Sequence, residues 1–151
     1  METEKIKIDG DEATEKIIKI HKKPRYTEQI NLILLQGTTI AGLNIIDIHK
    51  IQKETEKPVI TTLKQKPSKK RIKKAIKNTE NSEKKLEKIE KNPEYQKHPG
   101  KNLHYTSTGM KNEKAEIVIE RLIHRGNIPE PLRIASVIAK GITKKQLEDQ
   151  K

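Results

Sequence analysis

The chain contains no cysteine, no tryptophan and no phenylalanine, and three tyrosines are its whole aromatic complement in 151 residues. Without cysteine there is no disulfide, no thiolate zinc site and no thiol nucleophile. Tyr26, Tyr95 and Tyr105 offer little surface for stacking bases, which argues against sequence-specific reading of single strands. No apolar run approaches the roughly 18 residues that span a bilayer. The opening Met1-Glu2-Thr3-Glu4-Lys5 has no signal-peptide character. The expectation is a soluble, cytoplasmic protein with no membrane partner.

What the chain has in excess is charge. Lys and Arg number 33 against 21 Asp and Glu, a formal net charge of +12, while hydrophobic residues make up only 31%. Isoleucine dominates that apolar share, so the core should be aliphatic. The length suits one domain, residues 1–151. A positive excess of this size favours a polyanionic partner, nucleic acid first.

Along the chain, Ile6-Lys7-Ile8 alternates like a short strand that Asp9-Gly10 ends. Asp11 is placed to cap a helix over about 12–22, with Glu12 and Glu15 where the helix dipole favours anions, and Pro24 stops it. Ile30–Leu35 is apolar on both faces, like a strand inside an α/β sheet. Gly37 and Gly42 bracket a loop. Asn44 reads as an N-cap with Asp47 in the reciprocal position of a capping box, followed by Ile45, Ile48 and Ile51 at helical spacing. Pro58–Leu63 reads as a second inner strand, which completes a βαβ unit. A basic helix is expected over about 69–78 and a weaker one around 83–91. Pro93 and Pro99-Gly100 mark 80–101 as a mobile or inserted segment. Leu103, Tyr105 and Ser107 alternate as in a half-buried strand. A helix from Asn112 should turn Ile117, Ile119 and Leu122 inward. A last helix starting at Pro129 should bury Ile134, Val137 and Ile138. The fold class is α/β with a small sheet.

Lys64, Lys66, Lys69, Lys70, Arg71, Lys73, Lys74 and Lys77 fall within 14 residues that hold no acid. With Ile72, Ala75 and Ile76 as anchors, Lys70, Lys73, Lys74 and Lys77 would form one outward face able to lie along a phosphate backbone. A solvated surface in a lysine-rich chain is the competing reading. Gly37 and Gly42 do not make a P-loop, which needs a Lys-Ser/Thr ending. The five histidines are scattered, with no His-x-x-x-His pair.

Three stretches carry a resemblance. They are Gln36-Gly37-Thr38-Thr39-Ile40-Ala41-Gly42-Leu43-Asn44-Ile45-Ile46-Asp47 with Pro58-Val59-Ile60, Gly126-Asn127-Ile128-Pro129-Glu130-Pro131-Leu132-Arg133-Ile134-Ala135, and Asp9-Gly10-Asp11-Glu12-Ala13-Thr14. Together, over about residues 6–142, they resemble the archaeal endonuclease dU family, which is related to endonuclease V. The resemblance implies a ribonuclease-H-like (endonuclease V-like) sheet with flanking helices. It implies DNA, rather than RNA, carrying deoxyuridine as substrate. It also implies phosphodiester hydrolysis assisted by Mg²⁺ or Mn²⁺ held on acidic residues at strand ends.

The resemblance also exposes departures. Family members usually have Asp at the position of Gln36, which looks like a metal ligand. They usually have His where Ser136 stands, and Asp stands there in endonuclease V. They also begin earlier, so their first strands precede the start of this chain. The surviving acids assigned by the resemblance are Asp9 and Asp11 as metal ligands and catalytic groups, and Asp47 as a catalytic group. The competing roles are a turn and an N-cap for Asp9 and Asp11, and a helix cap for Asp47. Arg133 is assigned to a phosphate or, alternatively, to bracing against Glu130. Ser136 has no histidine placed as its base and reads as a packed or solvated serine. Two functions follow: a DNA endonuclease with weakened or lost activity, or a non-catalytic nucleic-acid-binding or assembly protein of the same origin. In the second, a homo-oligomer or a second chain would complete the sheet.

Overall fold

The computed structural model describes residues 2–23 and 27–148. Pro24 and Tyr26 lie outside the described residues. In chain order the elements are α1 (Ala13–His21), β1 (Ile33–Leu35), β2 (Thr39–Ile40), β3 (Asn44–Ile45), α2 (Ile48–Thr55), β4 (Val59–Leu63), α3 (Lys69–Ile76), α4 (Ser82–Lys91), β5 (Gln96–Lys97), β6 (His104–Thr108), α5 (Asn112–Leu122) and α6 (Glu130–Glu148). The main sheet has the order β1-β4-β6-β5, and β2 and β3 form a separate hairpin. β1 and β4 are parallel, with Ile33 opposite Val59 and Leu35 opposite Thr61, as the βαβ reading requires. β4–β6 and β6–β5 are antiparallel.

Strand alternation divides the core between the two faces of the sheet. Ile33, Leu35 and Val59 pack with Ile18 of α1 and Ile48 and Ile51 of α2. Leu34 and Ile60 point the other way, toward Tyr105, Ala115 and Ile119. A third cluster of Ile45, Ile76 and Ile89 ties α3 and α4 to the hairpin. Each fully buried isoleucine contributes about 1.5–3 kcal/mol.

Several expectations are corrected. Ile6–Ile8 forms no strand. The Lys7 carbonyl accepts instead from Gly10 N (3.2 Å) and from the Asn44 side-chain amide (2.7 Å), and Asp9 takes a left-handed φ of 56°. Asn44 is not a cap but a buried residue of β3. The cap of α2 is Asp47, whose Oδ1 accepts from Lys50 N at 2.9 Å. The glycine-bracketed loop turns back as a hairpin, which moves Ile45 from the helix into β3. Asp11 does not cap α1, whose cap position belongs to Glu12; the Glu12 side chain makes no capping bond and accepts instead from Lys7 N at 2.9 Å.

The outer helices differ as well. Ile117 is exposed, so Ile119 and Ala115 carry the core contact of α5. Ile134 and Val137 are 45% and 60% exposed, because α6 turns the opposite side, with Leu132 buried, inward. Ala75 is exposed and leaves Ile72 and Ile76 as the anchors of α3. The segment 80–101, expected to be mobile or inserted, supplies buried Lys85, Ile89, Tyr95 and His98. Its Asn92 clamps the entry to α2, donating to Ile46 O (2.6 Å) and accepting from Ile48 N (3.2 Å).

Candidate nucleic-acid interface

α3 begins where Pro67 ends an extended turn and Ser68 Oγ accepts from Arg71 N at 3.3 Å. Ile72 and Ile76 seat it on α4 and the hairpin. This leaves Lys70, Arg71, Lys74 and Lys77 exposed, joined by exposed Lys64 just past β4. None of these five makes an ion pair among the described residues. Lys70, Lys74 and Lys77 follow one side of the helix over roughly 10 Å of rise.

The other three cations of the run are engaged. Lys66 Nζ and Lys69 Nζ lie 3.5 and 2.5 Å from the two oxygens of Glu94, and Lys73 pairs with Glu90. The hydrogen bond from Lys69 holds the Glu94 carboxyl below its ordinary pKa, and that from Lys73 does the same for Glu90. Lys73, expected on the free face, is therefore turned toward α4.

Beside this ion pair is a cavity of about 30 Å³ that Thr38, Thr39, Lys66, Lys69, Asn92 and Tyr95 help to line. It lies where the parallel strands β1 and β4 end, the usual place for a ligand crevice in an open α/β sheet. The Tyr95 hydroxyl accepts from Thr61 Oγ1 at 2.8 Å, and burial raises its pKa. Sequence reading missed Thr38, Glu94 and Tyr95 as parts of one place. The Glu94 pairs join residues 25 and 28 positions apart, which no helical spacing announces.

Of the carboxylates assigned by resemblance, Asp9 and Asp11 line one cavity with Glu12, Glu80 and Lys7, and Asp47 is not part of it. Asp9 Oδ1 accepts from Leu43 N at 2.8 Å and fastens the N-terminal turn to the hairpin. That approach requires glycine at 42, because a Cβ there would stand 2.2 Å from Asp9 Oδ1. Asp11 pairs with Lys88, and Asp47 caps α2. Gln36 is exposed and Ser136 half-buried. Among the described residues, no three His, Cys, Asp or Glu side chains gather as a metal site requires. The arrangement does not fit Mg²⁺ or Mn²⁺ on Asp9 and Asp11. Each carboxylate already has a protein donor, and that of Asp11 is itself a cation. Arg133 binds Glu130 through Nε at 2.9 Å, the bracing arrangement.

A basic side chain also holds the N-terminal turn. Lys85 is fully buried, and its ammonium donates to Asp9 O (2.6 Å) and Thr79 Oγ1 (3.1 Å). No helix among the described residues is long and apolar enough to cross a membrane.

Comparison with known proteins places these features in a lineage. The family model described as Endonuclease dU matches residues 1–143. A UPF0215 protein of Archaeoglobus fulgidus is 33% identical over 137 residues, covering 91% of this chain and 75% of the relative. One from Methanocaldococcus jannaschii is 38% identical over 138 residues, covering 91% and 73%. One from Methanothermobacter thermautotrophicus is 34% identical over 143 residues, covering 93% and 70%. A crystal structure of a protein of unknown function from Archaeoglobus fulgidus matches with a TM-score of 0.86 and 32% identity, over 91% of this chain and 78% of that one.

Proposed function

Because the chain belongs to the endonuclease dU family, whose name implies a nucleic-acid substrate, we propose that it binds duplex DNA through the outer face of α3. The observation that carries this reading is the set of five cations, Lys64, Lys70, Arg71, Lys74 and Lys77, that make no ion pair among the described residues. A cationic helix face without carboxylates meets the phosphate backbone and releases its counterions. The lesion assigned is deoxyuridine, after the family name. The sheet is read as ribonuclease-H-like, and phosphodiester hydrolysis as weakened or lost. Supporting that loss, Asp9, Asp11 and Asp47 are committed to Leu43 N, Lys88 and Lys50 N, and Gln36 offers a neutral amide to a hard cation.

The open edge of β1 and the outer face of α6 are read as the surface on which a second copy of the chain completes the sheet. β1 is an edge strand of apolar residues that are only half-buried.

The test uses labelled duplexes with and without deoxyuridine, titrated by fluorescence anisotropy over a range of salt, with nicking followed on gels with Mg²⁺ or Mn²⁺. Wild-type protein should bind both duplexes. The combined Lys70→Ala and Lys74→Ala variant should bind more weakly, with a log–log salt slope shallower by about 0.9 for each phosphate contact removed. An unchanged slope would exclude the α3 face. Efficient metal-dependent nicking that disappears in Asp11→Ala would restore the enzymatic reading.

A further inference from the structure

Glu94 grips two lysines at once, one on each carboxylate oxygen: Lys66 on Oε2 and Lys69 on Oε1. A phosphodiester likewise presents two non-bridging oxygens at a similar separation, with the same single negative charge. We propose that Lys66 and Lys69 form an inner phosphate subsite of the DNA interface, and that Glu94 occupies it as an internal substitute for the phosphodiester. The inference rests on the reading of α3 as a DNA-binding face, and it extends that footprint from the helix surface into the crevice beside it.

Three further observations point to an anion here. The subsite adjoins the N-terminus of α3, where unbonded backbone N–H groups favour negative charge. That first turn contains no acidic residue. Instead it carries Lys69 and Lys70, which the dipole disfavours, and among the described residues the carboxylate paired to it is Glu94, brought in from beyond α4. The crevice wall supplies neutral polar groups suited to phosphate oxygens, among them Thr38 and Thr39. Finally, the Glu94 side chain is 62% exposed, so the ion pair is wet and weak enough to exchange. Lys69 is the chain neighbour of Lys70 on α3, and Lys66 shares its Glu94 partner, so DNA that reaches Lys70 and Lys74 arrives beside the pair. Its phosphate displaces the Glu94 carboxylate into water, and both lysines are transferred to the backbone with no bond made or broken covalently.

The mask lowers affinity, because each DNA phosphate entering the subsite must first displace a bound anion. Removing the charge at position 94 therefore tightens binding. Glu94→Gln should raise affinity for a 20-base-pair duplex by about three- to tenfold and steepen the salt slope by about 0.9–1.8, for one or two added phosphate contacts. Glu83→Gln is the control. It removes the same charge from an exposed position of α4 that has no lysine partner among the described residues, and it should change affinity far less. Adding Lys66→Ala and Lys69→Ala to Glu94→Gln should cancel the gain.

Equal gains from Glu94→Gln and Glu83→Gln would show a general charge effect and overturn the subsite. Unchanged affinity in Glu94→Gln, with wild-type protein still binding, would overturn the subsite and leave the α3 reading intact. Absence of binding by both proteins, with circular dichroism confirming that both are folded, would overturn both. Glu94 is exposed, so its replacement should leave the thermal midpoint within a few degrees of wild type.

Discussion

The ammonium of Lys88, on α4, lies against the carboxylate of Asp11 and also reaches the Asp11 backbone carbonyl at 3.4 Å. Both side chains are less than one-fifth exposed. A residue that resemblance assigns to a metal is thus held by a protein cation. Lys88→Met and Asp11→Asn should each lower stability by about 1–2 kcal/mol, since each leaves a partly buried charge without its partner. In a double-mutant cycle the two effects should be non-additive, because they remove one interaction. Urea unfolding measures this. Additive effects would show that the pair contributes nothing.

Lys85 is a stronger structural cation. It is fully buried, and among the described residues no carboxylate binds it; its acceptors are a carbonyl and a hydroxyl. Lys85→Ala would leave Asp9 O and Thr79 Oγ1 without their donor and open a void. The expected loss is about 2–4 kcal/mol, from the two partly buried acceptors left without this donor plus the cavity. For a chain of this size that lowers the thermal midpoint by roughly 5–15 °C. Calorimetry checks the size of the loss. Amide exchange should report early opening of the turn around Asp9.

His21 predicts a pH dependence. It is 5% exposed, and neither ring nitrogen has a hydrogen-bond partner among the described residues. Burial, then the neighbouring charges of Lys57 and Lys22, lowers its pKa below the ordinary 6.5. The unfolded chain therefore takes up a proton that the folded chain refuses. As pH falls through about 6.5, stability declines, and the decline continues until the folded-state pKa is reached. Above that range the histidine is neutral in both states and contributes no slope. His21→Leu should flatten this part of the stability–pH curve in urea titrations between pH 5 and pH 8. An unaltered slope would assign the dependence to other groups.

The outer face of α6 predicts association. Ile134 and Val137 stand exposed on a helix whose other side already buries Leu132, so the helix is apolar on both sides. Such a helix usually sits inside an assembly. Wild-type protein should sediment as more than a monomer at micromolar concentration. Ile134→Lys with Val137→Lys should raise the dissociation constant at least tenfold without loss of helical circular dichroism. A monomeric wild type would remove this face from the proposal.

The primary structure alone determined the elements whose signals are local. Val59 and Ile60 announce an inner strand because a strand buried on both faces must be apolar on both faces, while the same signal at Ile33 and Leu35 marks β1, which was expected inside the sheet but lies at its edge, half-buried. Ser68 announces the start of α3, and the acid-free run from Lys64 to Lys77 announces its charge. Tertiary structure decided everything that depended on which groups meet. Asn44 has good cap chemistry, yet the turn at Gly42 carries it into β3, and Asp47 takes the cap. Ile134 and Val137 fit a core pattern, but a helix with two apolar sides does not say which of them faces the sheet. The partners of the acids were decided in the same way. Asp9, Asp11 and Glu94 look available in the sequence, while in the fold each finds a donor from a distant element, Leu43 N, Lys88 or the pair Lys66 and Lys69. Charge is a property of the chain, but whether a charge is free to act depends on what folding brings within hydrogen-bonding distance of it.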